Sequence, residues 1–68
     1  MNIDKTIAQL EDELEKFENA YEPDDRLDIK QTITNQIKAI RQFVASENKS
    51  LTTQQNQSIS DIEEILSY

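Results

Sequence analysis

The stretch IDKTIAQLEDELEKFENAY, Ile3–Tyr21, decides the fold. Its apolar residues are Ile3, Ile7, Leu10, Leu14, Phe17 and Tyr21, at spacings of 4-3-4-3-4. That is the heptad rule over nearly three repeats, the pattern of a helix with one apolar seam facing another helix. Asn2 precedes the seam and has the side chain of an N-cap. Set in heptads, Ile7, Leu14 and Tyr21 take the a positions and Ile3, Leu10 and Phe17 the d positions. The e positions are then Asp4, Glu11 and Glu18, all acidic. Two parallel copies of this helix would set Glu13 of one against Glu18 of the other, which opposes self-pairing. The seam calls for a helix with basic flanks.

Working outward, Glu22–Pro23–Asp24–Asp25 interrupts the pattern. Proline biases the residue before it away from the helical region and has no N–H to donate. A short turn is expected, with Asp24 or Asp25 capping a second helix from about residue 25 to residue 45. Its stripe is Ile29, Ile33, Ile37, Ile40 and Val44, flanked by Phe43, and Leu27 points elsewhere. Lys30 and Arg41 project along one edge of the stripe, and Arg26 falls in line with it. An antiparallel hairpin of the first two helices would match acidic flank to basic flank. Such exposed pairs contribute only a few tenths of a kcal/mol each, about 0.3–0.5, so apolar burial has to supply the stability.

Ser46–Ser50 is polar and reads as a loop. Thr52 and Gln55 have the Thr-x-x-Gln spacing of a capping box, which opens a third helix over about 53–67. Its apolar residues are Ile59, Ile62, Ile65 and Leu66, with Leu51 just ahead of the cap. The first turn and a half, Thr53–Ser58, is wholly polar and is expected to fray. The groove near Leu10, Leu14, Ile37 and Ile40 then needs a cover. Two outcomes satisfy it: a three-helix bundle closed by the third helix, or a dimeric helical assembly of two hairpins.

Composition supports an all-α fold in a single small domain spanning residues 1–68. Glycine is absent and proline occurs once, so the tight turns of a β-rich fold have no residues to make them. A chain this short buries only about 60% of its unfolded surface and is marginally stable without a supplement. No Cys or His is present to provide disulfides or the usual zinc sites. Helix packing and self-association remain as supplements. No stretch reaches the ~20 apolar residues of a membrane span, and the N-terminus lacks a basic-then-apolar signal pattern. The expectation is a soluble cytoplasmic protein.

The net charge of −7 is unevenly spread. Residues 1–28 carry ten acids and three bases, residues 29–50 four bases and one acid, and the rest three acids. Direct nucleic-acid binding, which needs clustered Lys and Arg, is not expected. Without Cys or His no activated nucleophile–base pair can be assembled, and without Gly there is no phosphate loop. The chain reads as non-enzymatic, with no cofactor. Asp24, Asp25 and Asp28 lack the alternating ligands, Gly and terminal Glu of an EF-hand, so they read as a solvated helix start rather than a metal site.

The acidic face of the first helix, with Glu11, Asp12, Glu13, Glu15, Glu18 and Glu22, is the candidate partner-binding surface. The leading expectation is a protein–protein interaction module, a small acidic regulator or inhibitor of a partner with a basic surface, with a homodimer also in view. The alternative is an acidic nucleic-acid mimic of the phage anti-defence or anti-host type, its carboxylates about 5–6 Å apart on successive turns. A structural or assembly factor is the third reading. Tyr21, Phe43 and Tyr68 are candidate anchors for a partner. The stripe positions of Tyr21 and Phe43 favour core packing instead.

Overall fold

The computed structural model describes residues 1–67 and shows three helices: α1 (Ile3–Asn19), α2 (Pro23–Ser46) and α3 (Thr53–Leu66). Tyr68 lies outside the described residues. α1 and α2 form a hairpin with the most extensive packing, and α3 packs less, least of all against α2. Gln55 in the first turn of α3 donates from Nε2 to Asp4 Oδ1 in the first turn of α1, at 2.8 Å. Farther along, Leu14 lies beside Ile62 and Ile65. α3 therefore runs parallel to α1 and antiparallel to α2.

All three helices turn their stripes inward. Ile7, Leu10, Leu14 and Phe17 meet Ile33, Ile37 and Ile40, and Ile59, Ile62 and Leu66 close the third side. Ile3, Ile29, Val44, Leu51 and Ile65 pack around the edges. Fully burying each large aliphatic side chain contributes about 1.5–3 kcal/mol, so these ten residues dominate the stability. Leu10 and Ile40 are 0% exposed and Ile37 3% within one chain. The groove that called for a cover is filled by α3, and no second chain is needed to complete the core.

Three local expectations hold. Asn2 Oδ1 accepts from the Lys5 N–H at 3.0 Å and caps α1. Thr52 and Gln55 make the reciprocal capping box, at 2.9 and 3.1 Å. The hairpin and the third helix stand where the periodicity puts them. The start of α3 is not frayed: the box and the bond to Asp4 fix its polar first turn at both the backbone and the side chain.

Three others are corrected. α1 ends at Asn19, so Tyr21 leaves the seam and is 96% exposed in the turn. The heptad count continues past the point where the helix stops: the backbone is already extended at Ala20, and Pro23 holds Glu22 extended as well. α2 begins at Pro23 itself, with Glu22 at the N-cap and no side-chain cap, so neither Asp24 nor Asp25 caps it. Proline suits a first helical position, where its missing N–H would be unpaired anyway. Both aspartates lie in the first turn, where their charge still favours the helix dipole. Lastly, Arg41 does not reach the acidic flank of α1. It faces α3, where its Nη1 and Nη2 hold Glu63 in a bidentate pair at 3.1 and 2.7 Å. The basic edge of α2 is the edge turned toward α3, and the sequence projection could not say which neighbour would lie there.

Candidate partner interface

The acidic face is built on the outside of α1. Once Ile7, Leu10, Leu14 and Phe17 point inward, 3.6-residue periodicity sends the residues between them outward. Glu11, Asp12, Glu15 and Glu18 are exposed along α1. Glu13 is half-buried and accepts from Lys16 Nζ at 3.1 Å, a pair within one turn. Glu22 is exposed but sits at the N-cap of α2, beyond the end of α1. The expected row of six is thus four exposed carboxylates on α1, one neutralised at the flank and one displaced to the turn. Asp24, Asp25 and Asp28 do not converge: the described residues include no group of three or more acidic side chains placed to hold a metal ion.

The opposite side of the molecule carries the reverse charge. Lys30, Lys38 and Arg41 line a groove of about 590 Å³ between α2 and the end of α3. Ile37 and Leu66 form its floor, and Thr34, Gln42 and Ala45 complete the α2 wall. α3 meets this edge at the Arg41–Glu63 pair and ends at Leu66, so the shorter helix leaves Lys30 and Thr34 on the part of α2 beyond its end. Arg41 is held above its ordinary pKa by the hydrogen bonds it donates to Glu63, reinforced by the charge of that carboxylate and opposed by slight burial. It stays cationic at any working pH. Glu63 offsets one of the three positive charges, leaving Lys30 and Lys38 free of ion pairs among the described residues.

The base that engages α1 is Arg26. Its Nη1 donates to Phe17 O at 2.8 Å and to Ala20 O at 3.4 Å, and its guanidinium lies 4.2 Å from the centroid of the Phe17 ring. It adds a charged donor to carbonyls at the C-terminus of α1, where Phe17 O otherwise accepts only the long bond from the Ala20 N–H at 3.4 Å, in place of closure by a residue in the left-handed conformation. The sequence signal was present, since Arg26 falls in line with the apolar stripe, but charge alone does not show that its target is a carbonyl and a ring. The groove was likewise unmarked, because it depends on where α3 ends.

The chain matches no protein-family model, no curated protein and no solved structure. No helix among the described residues is long and apolar enough to cross a membrane.

Proposed function

We propose that this protein is a non-enzymatic interaction module of the cytoplasm, a small acidic regulator or inhibitor that docks the outer face of α1 on a basic surface of a protein partner. One observation carries the reading. The core is satisfied within one chain, so the seam of α1 is occupied, while Glu11, Asp12, Glu15 and Glu18 stand exposed without an ion pair among the described residues. A row of unpaired carboxylates on a rigid helix is a preorganised surface for Lys and Arg, and it steers encounter with a basic protein.

The same row supports a second reading, a nucleic-acid mimic, because Glu11, Glu15 and Glu18 sit on successive turns about 5–6 Å apart. In neither reading does the chain bind nucleic acid directly. The test is a nuclease-treated pull-down from the source cell with the wild-type chain and with Glu11, Asp12, Glu15 and Glu18 changed to Gln. The wild type captures a basic protein that the neutralised variant loses. Equal capture by the two overturns the proposal. Competition of the captured protein with DNA, weakening steeply as salt rises, selects the mimic.

A further inference from the structure

The groove and the turn at the far end of α2 have matching chemistry. At 100° per residue, Leu27, Lys30, Thr34, Lys38, Arg41 and Ala45 fall within an arc of about 80° on the outer edge of α2. The edge begins with an exposed apolar side chain, Leu27 at 61%, and the turn that leads into α2 carries Tyr21 at 96%. Glu22, Asp24 and Asp28, at the same end of α2, are all exposed. The other half of the edge is the groove, with a cationic rim and an apolar floor. One end of α2 is apolar and acidic, and the other is apolar and basic.

We propose that two copies of the chain associate through this edge, with α2 antiparallel to α2 of the second copy across a two-fold axis. Such an interface is isologous, so each contact forms twice. In an antiparallel two-fold pair, each flank of a helix meets the same flank of its mate. Asp24 and Asp28 project to the same flank as Lys38, so the acids of one copy face the lysine of the other. The register that opposes Asp28 to Lys38 places the axis near residue 33. It carries Leu27 and Tyr21 over the groove of the second copy, toward Ala45. The acidic face of α1 is a poor occupant for the same groove, because its apolar residues are all committed to the core and its outer residues carry nothing to fill the floor.

Sedimentation velocity over a concentration series tests the proposal, with circular dichroism as the check that each variant folds. Leu27, Asp28 and Lys38 are exposed, so their substitution leaves helicity unchanged. The wild type passes from monomer to dimer as concentration rises into the high micromolar range. Asp28→Lys and Lys38→Asp each weaken the dimer about tenfold, since each sets like charges together at two symmetric places. The double exchange D28K/K38D restores wild-type affinity to within a few-fold. Leu27→Asp abolishes the dimer, and Glu15→Gln on α1 leaves it unchanged. A wild type that stays monomeric throughout overturns the proposal, as does a dimer indifferent to these changes or a double exchange no tighter than its parents. A monomer that instead binds an acidic amphipathic peptide in the groove gives the groove to another protein and also overturns it.

Discussion

The two connections between helices solve the same problem in different ways. The turn after α2 is closed by its own residues. Asn48 takes the left-handed conformation at φ 56°, and the Asn48 and Lys49 N–H groups donate to Ala45 O and Val44 O at 3.3 and 2.9 Å. This is the double closure of a Schellman motif with Asn in the place of Gly. The Lys49 ammonium rests 5.3 Å from the centroid of the Phe43 ring, and Thr52, the last residue of the connection, caps the next helix together with Gln55. The turn after α1 has no left-handed residue among its backbone angles. Its local closure is a single long bond, Ala20 N–H to Phe17 O at 3.4 Å, and Arg26 reinforces it from a distance, six and nine residues beyond the carbonyls it binds. A turn closed locally can be altered without reaching the core. A turn closed by Arg26 is tied to Phe17, which is 5% exposed in the core.

That contrast can be broken at graded cost, read by urea or thermal unfolding. Phe17→Ala should be the most damaging, at about 3–5 kcal/mol, because it opens a core cavity and removes the ring beneath Arg26. Arg26→Ala should cost about 1.5–3 kcal/mol, since charge-assisted bonds to two carbonyls and the stacking contact are lost together. The two losses should fall short of additive in a double-mutant cycle, because Arg26 acts partly through the ring. Full additivity would show the turn to be independent of the core. At the other connection Thr52→Ala should cost about 1 kcal/mol by removing one arm of the capping box. Asn48→Gly should change stability least, raising it by up to about 1 kcal/mol as left-handed strain is relieved, less the greater freedom glycine gives the unfolded chain. Equal costs for Arg26→Ala and Thr52→Ala would erase the distinction between remote and local closure.

Legibility followed the same division. The capping box, the Asn2 cap and the three apolar stripes were readable because each rests on residues within one or two turns of each other. The heptad that ran on to Tyr21 misled because periodicity does not register where a helix stops. Pro23 was the stronger signal, and it acts by changing the backbone before it. The acidic row was legible on α1 but lost Glu13 to Lys16 and Glu22 to the turn. Lys30 and Arg41 were correctly placed on one edge of α2 and assigned to the wrong neighbour.

The amino-acid sequence by itself determined that this protein is three helices, which face of each is apolar, and how two of them begin, because those properties depend on backbone sterics and on hydrogen bonds a few residues apart. Only the tertiary structure decided that α3 closes the core within one chain, that Arg26 caps α1 over Phe17, and that a basic groove stays open opposite the acidic face. Those depend on which flank of α2 meets which helix and on where α3 ends against it. They are set by the fit of ten side chains drawn from three helices, and no local pattern encodes that fit.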